Sequence, residues 1–221
     1  MVIVFDLDDT LFPESAFAVS ALAAVGRLAG RAYGWDDYGQ KLAELHAAGR
    51  RTDLFQEASR ALGHGLMTAE QVAACLACYR EHRPSSLPWY PDALEAVRTS
   101  HLRFPLELIS DGYLPTQRNK AAALGLERWI PRPIFTEELG RQHWKPSAKA
   151  FELIMARHPG ERFAYVADNP AKDFIAPRSL GWSSVRIRRM DGVYAAAPDA
   201  PAGSPEAVRP DMSDLLTCLG L

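Results

Sequence analysis

Short apolar runs recur along the chain, and each of them predicts a buried β-strand. They are rich in branched or aromatic residues and lie at Val2 to Phe5, Leu106 to Ile109, Pro133 to Phe135, Phe163 to Ala167 and Ser184 to Ile187. From Leu106 onward the runs alternate with segments whose apolar residues recur at helical spacing. This alternation predicts an α/β fold, in which a parallel sheet carries helices on both faces.

The alternation of strands and helices is interrupted between the first two predicted strands. These strands are separated by about 100 residues, whereas a crossover unit needs only about 30. Helical patterns fill the gap at about 15–33, 37–48, 53–62 and 68–82. We therefore expect a small all-helical cap at residues 14–84, inserted into an α/β core of residues 1–13 and 85–221. Near the other end, residues 194–214 are rich in Ala, Pro, Gly and Ser, which predicts a surface loop before a short docked helix.

Composition narrows the choice of partner. The 221 residues carry a formal charge of -2, and the sequence pI is about 6.3. The chain therefore lacks the basic field expected for nucleic acid or an anionic membrane, and we expect a small-molecule partner. The cysteine count of 3 is odd, and no leader of the signal-peptide kind precedes the first strand, so we expect a reducing cytoplasm. Cys75 and Cys78 lie in a helical pattern and are interpreted as core cysteines.

Acidic residues follow the first and fourth predicted strands. Asp6 and Asp8 come directly after the first run, and Asp168 and Asp173 follow the run that ends at Ala167. In parallel sheets, ligand chemistry collects at the carboxyl ends of the strands. An Asp-rich turn that merely ends a strand is the structural alternative for the first pair, but the second pair makes a shared site the better interpretation.

The remaining strand ends add groups that suit an anion. The second run ends in Ser110, Asp111 and Gly112, a hydroxyl followed by a glycine whose backbone N–H can approach an anion closely. Lys145 lies near the start of the next helical pattern. Crowded carboxylates repel one another unless a cation lies among them, and a set of ligands without His or Cys selects a hard ion, so Mg²⁺ is predicted. A lysine, a hydroxyl and backbone N–H groups would then bind a tetrahedral dianion, which predicts phosphoryl transfer.

These segments resemble the motifs of the haloacid dehalogenase superfamily, in the branch with a helical C1-type cap inserted after the first motif. The matching residues, in family order, are Asp6-Leu-Asp8-Asp-Thr10, Ser110, Lys145 and Asp168 with Asp173. The resemblance implies a Rossmann-like core and a Mg²⁺-dependent phosphatase of small phosphorylated metabolites. Asp111 departs from the pattern, because many capped members have Asn there. We expect its side chain to point away from the phosphate and its backbone N–H to bind it.

The resemblance also implies a role for each residue. Asp6 would attack phosphorus and form an aspartyl phosphate, and Asp8 would carry the proton to the leaving group and from water. Ser110, with the N–H groups of Asp111 and Gly112, would bind phosphoryl oxygens, and Lys145 would neutralise the nucleophile. The predicted metal residues are Asp6, Asp8 through its backbone carbonyl, Asp168 and Asp173, the last acting through Lys145 or a metal-bound water.

Other readings stay open from the sequence. A 2-haloacid dehalogenase needs the nucleophile but neither the metal acids nor Asp8. A sugar phosphomutase keeps Asp8 and must exclude water. A receiver-like phospho-accepting module has the acids and the Lys in a different order and no helical insert. In the cap, Arg50 and Arg51 are the candidate substrate-binding residues, although a solvated loop that connects two helices is the favoured interpretation of these arginines.

Overall fold

A computed structural model describes the backbone of residues 1–221 and every side chain except that of Ala202. The chain divides into two compact units. One combines Met1–Glu14 with Leu87–Leu221, and the other is Ser15–Ser86.

The larger unit is built on a sheet. Among the described residues, six strands form one sheet in the order β3-β2-β1-β4-β5-β6, and every neighbouring pair is parallel. The strands are β1 (Val2–Phe5), β2 (Leu106–Ser110), β3 (Ile134–Phe135), β4 (Phe163–Ala167), β5 (Ser183–Ile187) and β6 (Ala207–Arg209). The predicted α/β fold with a parallel sheet is therefore confirmed, and all the predicted strands are present.

The α-helices agree closely with the helical patterns of the sequence. Helices α1 to α4 span Glu14–Tyr33, Tyr38–Ala47, Leu54–Ala61 and Ala69–Arg80, and helices α5 to α9 span Pro91–His101, Leu114–Ala123, Lys149–Arg157, Ile175–Ser179 and Leu215–Cys218. Short 3-10 helices lie at Leu126–Arg128, Thr136–Leu139, Arg141–His143 and Pro201–Gly203. Within the described part of the chain, no helix has the length and apolar character needed to cross a bilayer.

The predicted acids Asp6 and Asp8 follow β1, which lies in the middle of the sheet. Strand β1 lies between β2 and β4, with Phe5 opposite Leu108 on one side and Val166 on the other. All four residues of β1 are buried, as expected for a strand covered on both faces. Because neighbouring strands run in the same direction, the residues that follow β1, β2 and β4 meet at one edge of the sheet.

The C-terminal stretch differs from its prediction. Residues 194–214 were expected to form a surface loop, but Ala207–Arg209 forms β6, which pairs in parallel with β5. Val208 is 37% exposed and its two neighbours in the strand are half-buried. The strand therefore lacks the continuous apolar run on which sequence-based recognition of a buried strand depends. The docked C-terminal helix is present as α9, with Leu215 buried.

The smaller unit contains helices α1 to α4 and has its own core. A buried cluster joins all of these helices and is formed by Leu22, Val25, Ala29, Tyr38, Leu42, Ala58, Met67 and Cys75. Cys75 is fully buried, as its helical pattern predicted, whereas Cys78 is partly exposed. Helix α1 packs closely against α2 because Gly26 faces Gly39: a Cβ added at Gly26 would lie 2.4 Å from the Gly39 Cα.

Replacement of Gly26 by Ala is expected to destabilise the protein. The added methyl group would meet backbone, which cannot move aside without separating α1 from α2, and overpacking of this kind costs about 1–3 kcal/mol. Gly30→Ala is the matched control. There the new Cβ would lie 3.2 Å from a movable Asp36 carboxylate oxygen, and Ala favours a helix over Gly by about 1 kcal/mol. Thermal melts should show a lower Tm for Gly26→Ala only, and equal Tm values for the two variants would contradict the close-packing argument.

Candidate active site

The loop after β1 is shaped by hydrogen bonds that continue and then close the strand. The Asp6 N–H donates to the Val166 carbonyl at 2.9 Å, so Asp6 is still held at the edge of the sheet. Asp9 adopts a left-handed conformation with φ 50°, and its buried carboxylate accepts hydrogen bonds from the N–H groups of Glu14 and Val193, each at 2.8 Å. Asp9 therefore stabilises the loop that carries Asp6 and Asp8.

Lys145 lies among the acids that follow β1 and β4. Its Nζ is 2.6 Å from Asp6 Oδ1 and 2.7 Å from Asp173 Oδ1, and it donates a hydrogen bond to the Tyr165 hydroxyl at 3.1 Å. The Lys145 side chain is 1% exposed and that of Asp173 is 0% exposed. The structure thus brings together residues that are far apart in sequence.

Burial and the repulsion between carboxylates raise the pKa values of Asp6 and Asp168. Burial raises the pKa of Asp6 to about 7, with Asp173 also raising it and Lys145 opposing the rise. Burial, with Asp6 and Asp173 close by, raises the pKa of Asp168 well above its ordinary range. Burial alone would lower the pKa of Lys145, but Asp173 and Asp6 outweigh it and hold that pKa well above its usual value. In this buried cluster, therefore, the charged forms of Asp6 and Asp168 are disfavoured, and the charged form of Lys145 is favoured.

The acids fit a hard divalent cation. One carboxylate oxygen from each of Asp6, Asp168 and Asp173 lies within 4.8 Å of the others, and all three residues are buried. Oxygen ligands without His or Cys select Mg²⁺ or a similar ion, and a cation among these carboxylates would offset the repulsion between them. The residues present therefore suit the group that the sequence predicted.

The turn after Asp168 is built to hold Asp173 in place. Asp173 Oδ2 accepts a hydrogen bond from the Asn169 N–H at 2.9 Å, and the Asn169 side chain in turn accepts one from the Ala171 N–H at 3.0 Å. On the other side, the buried Arg186 of β5 donates to the Asp168 carbonyl at 3.1 Å. The Asp173 carboxylate and the Asp168 backbone carbonyl are thus each held by a hydrogen bond.

The residues after β2 occupy three different positions. Ser110 is 1% exposed, and its Oγ lies 2.6 Å from Gln117 Nε2. Gly112 has φ +135°, which favours glycine, and a Cβ there would lie 3.1 Å from the Gln117 side chain. Asp111 does not turn to solvent: its carboxylate accepts from Lys172 Nζ and from Thr136 Oγ1, each at 2.7 Å, and from the Lys145 N–H at 3.1 Å.

Asp111 therefore belongs to the framework of the site. Burial works against its ionisation, but Lys145 and Lys172 outweigh burial and hold its pKa below the usual value. The contacts of this side chain fix Lys172 and the backbone of Lys145, and its expected orientation away from the phosphate stays a prediction. No local sequence pattern indicates this pairing, because Lys172 lies 61 residues from its partner.

Asp8 is the most accessible of the predicted acids, with its side chain 23% exposed. Its Oδ1 is 2.7 Å from Lys120 Nζ, and its Oδ2 accepts a hydrogen bond from Gln117 Nε2 at 2.8 Å. Neither helical residue was predicted as part of the site. A cavity of about 140 Å³ opens beside Asp8, and its lining consists of Asp6, Asp8, Asp9, Glu14, Asp111, Lys145, Asp168, Asn169, Lys172, Asp173 and Tyr194.

Tyr194 reaches this cavity from the stretch that was predicted as a plain surface loop. The loop is anchored by Arg186, whose guanidinium donates to the carbonyls of Tyr194 and Ala197 at 2.7 and 3.0 Å and pairs with Asp199 at 2.6 Å. Arg186 itself is 0% exposed. An arginine between Val185 and Ile187, inside a predicted buried strand, is the signal that could have identified this anchor, because a buried charge requires partners.

Arg50 and Arg51 lie in the helical unit, between α2 and α3. Arg51 Nη1 donates to the carbonyls of His46 and Arg50 at 2.7 and 2.9 Å, and the 63% exposed side chain of Arg50 lies 3.7 Å from Glu57. These contacts are local to their own unit. The role of both arginines in substrate binding stays a prediction.

Two phosphatases are similar to this chain in sequence. The chain is 28% identical over 213 residues to a glyceraldehyde 3-phosphate phosphatase of Methanopyrus kandleri, covering 85% of this chain and 83% of the relative. It is 29% identical over 204 residues to a phosphoserine phosphatase of Thermus thermophilus, covering 90% of this chain and 77% of the relative.

Solved structures share the fold. A HAD-hydrolase named YfnB from Bacillus subtilis, bound to magnesium, superposes with a TM-score of 0.68 at 17% identity and covers 100% of this chain and 98% of its own. A 2-haloacid dehalogenase from Pseudomonas syringae superposes with a TM-score of 0.65 at 21% identity, covering 99% of this chain and 97% of its own. Residues 1–181 match the family model of haloacid dehalogenase-like hydrolases. The chain therefore belongs to the haloacid dehalogenase-like hydrolase family.

Proposed function

We propose that this hydrolase cleaves a small phosphate monoester in the presence of Mg²⁺ and forms an aspartyl phosphate on Asp6. The observation that carries the proposal is the pairing of a buried Asp6, held by Lys145 at 2.6 Å, with a second, more exposed acid two residues later. A nucleophile and a separate proton carrier are the groups that phosphate ester hydrolysis requires. The two phosphatase relatives support this choice.

In the first half-reaction, an Asp6 carboxylate oxygen attacks phosphorus and the bond from phosphorus to the ester oxygen breaks. Asp8 gives its proton to the departing oxygen, so that the alcohol leaves neutral. Lys145 offsets charge around the nucleophile, and Ser110 with the N–H groups of Asp111 and Gly112 binds phosphoryl oxygens.

In the second half-reaction, Asp8 takes a proton from water, and the water oxygen attacks the phosphorus of the aspartyl phosphate. The bond from phosphorus to Asp6 breaks, which releases inorganic phosphate and regenerates the carboxylate. Mg²⁺, held by Asp6, Asp168 and the Asp8 backbone carbonyl, would supply charge neutralisation for the phosphoryl group. Asp173 would act through Lys145, with which it pairs at 2.7 Å.

A 2-haloacid dehalogenase is the alternative that the structural neighbours raise. At 21% identity the likeness supports the fold alone. Halide displacement needs no acid at position 8 and no metal site, whereas this chain has Asp8 with two helical partners and acids grouped to suit a cation. These features favour phosphate ester hydrolysis over dehalogenation.

The function is tested by removing the metal. A panel of phosphate monoesters, including 4-nitrophenyl phosphate, should be hydrolysed with Mg²⁺, and turnover should be lost after chelation with EDTA and return when Mg²⁺ is added in excess. The reason is that the buried acids cannot hold a phosphate dianion beside them without a cation. Inorganic phosphate release is the measurement, and 2-chloropropionate is the comparison substrate. Undiminished turnover in EDTA, or chloride release in place of phosphate release, would refute the proposal.

The role of Asp8 is tested by its leaving-group dependence. In Asp8→Asn, kcat/KM for an alkyl phosphate should fall by about 10²- to 10⁴-fold, and the loss for 4-nitrophenyl phosphate should be much smaller, because 4-nitrophenolate leaves without a proton. The parameter kcat/KM covers only the steps through release of the alcohol, so it excludes hydrolysis of the intermediate. Equal losses on both substrates would show that Asp8 does not protonate the leaving group.

A further inference from the structure

We infer that Gln117 and Lys120 are positioning residues that hold the Asp8 carboxylate and link it to Ser110. The inference rests on the proposed function, since it concerns the acid assigned to proton transfer. Both residues lie on α6, three positions apart and therefore on one face of the helix. Gln117 is 1% exposed and Lys120 is 3% exposed.

The contacts of Asp8 involve both of its oxygens. Lys120 Nζ lies 2.7 Å from Oδ1, and Gln117 Nε2 donates to Oδ2 at 2.8 Å. A carboxylate between two donors from one rigid helix has little freedom to rotate. Burial of Lys and Gln side chains is unfavourable unless their polar groups are paired, so these contacts also explain why such side chains point into the protein.

Gln117 also fixes the role of the Ser110 hydroxyl. In the state that takes a proton from water, the Asp8 carboxylate only accepts hydrogen bonds, so the amide nitrogen of Gln117 faces Asp8. The same nitrogen is 2.6 Å from Ser110 Oγ, and its two hydrogens match the two contacts. Ser110 then accepts from Gln117 and keeps its own hydrogen for a phosphoryl oxygen. One side chain thereby sets both the proton carrier and the phosphate-binding hydroxyl.

Gly112 leaves the space that this arrangement needs. A Cβ at position 112 would lie 3.1 and 3.2 Å from the Gln117 Cδ and Cγ. Glu14 completes the surroundings, with a carboxylate oxygen 3.8 Å from Lys120 Nζ. A purely structural ion pair would explain the burial of Lys120, but it would not predict any effect that depends on the leaving group.

The test compares kcat/KM for 4-nitrophenyl phosphate with kcat/KM for the alkyl phosphate that the monoester panel ranks highest, in the Mg²⁺-loaded protein. Gln117→Leu and Lys120→Met should lower the alkyl value by at least about tenfold more than the aryl value, which is the same direction as Asp8→Asn. Lys120→Arg keeps the cation and should recover most of the alkyl activity. Arg118→Met is the matched control, because Arg118 lies on the same helix, is 60% exposed and pairs with Glu138.

The outcomes separate the inference from the proposed function. If Asp8→Asn shifts the alkyl-to-aryl ratio and neither Gln117→Leu nor Lys120→Met does, the inference is wrong and the proposed function stands. If Asp8→Asn leaves the ratio unchanged, the assignment of Asp8 fails and the inference fails with it. If Lys120→Met does not fold, the ratio of alkyl to aryl kcat/KM in Gln117→Leu and Lys120→Arg still tests the inference. An unchanged ratio in Gln117→Leu overturns it.

Discussion

Replacement of Asp6 by Asn is expected to lower phosphatase turnover by on the order of 10⁴-fold or more, because an amide cannot serve as the nucleophile. The fold should survive. Asp6 is 6% exposed, and Asn has nearly the same shape. Lys145 would keep Asp173 as a partner at 2.7 Å.

The same variant carries a second expectation, which concerns stability without metal. The pKa of Asp6 is raised from 3.8 to about 7 in the folded protein, first because of burial. A folded state that binds the proton more tightly than the unfolded state loses stability as pH rises between those two values. Ionised Asp6 therefore weakens the metal-free fold above pH 7. In EDTA at pH 8, Asp6→Asn should melt at the native Tm or above it.

Thermal melts with and without Mg²⁺ complete the experiment. Mg²⁺ should raise the Tm of the native protein, because a ligand that binds only the folded state stabilises it, and this increment should shrink in Asp6→Asn. Asp37→Asn, at an exposed acid of the helical unit, is the control and should keep both turnover and the increment. Retained turnover in Asp6→Asn would disprove the covalent mechanism.

The fold was predictable from the sequence because the central strand β1 and its neighbour β4 carry continuous apolar runs. Strands β1 and β4 were located with correct ends for this reason. Strand β6 was missed because its three residues are only partly covered and carry no such run. Short edge strands depend on their neighbour for pairing, and a pattern within three residues cannot reveal it.

The candidate site was predictable only in part, and the division has a physical cause. Asp6, Ser110 and Asp168 lie at or directly after strand ends, where the direction of a parallel sheet brings them together, whereas Lys145 lies in the segment before α7. Gln117 and Lys120 lie within a helix, and a helical pattern does not show which polar side chain turns inward. Only the tertiary fold brings Lys120 to within 2.7 Å of Asp8, 112 residues away.

Replacement of Lys145 by Met is expected to destabilise the metal-free protein by about 3–5 kcal/mol at pH 8, because the loss of one partner leaves buried charges uncompensated. Asp6 and Asp173 both lie within 2.7 Å of Lys145 Nζ. The loss should be smaller at pH 5.5. The pKa of Asp6 is already about 7 and rises further without the ammonium, so the acid is protonated there and its penalty disappears as pH falls below that value.

Urea unfolding at both pH values, in EDTA, measures this effect. Lys149→Met is the matched control, since Lys149 is exposed at the start of α7 and should change stability by less than about 0.5 kcal/mol. The double variant Asp6→Asn/Lys145→Met supplies the decisive comparison. If Lys145 acts by offsetting the acids, removal of one acid should restore part of the stability lost in Lys145→Met, and the two changes should not be additive. A loss that is the same at pH 5.5 and pH 8, and additive with Asp6→Asn, would mean that Lys145 contributes through packing and that the buried acids are stabilised by other groups.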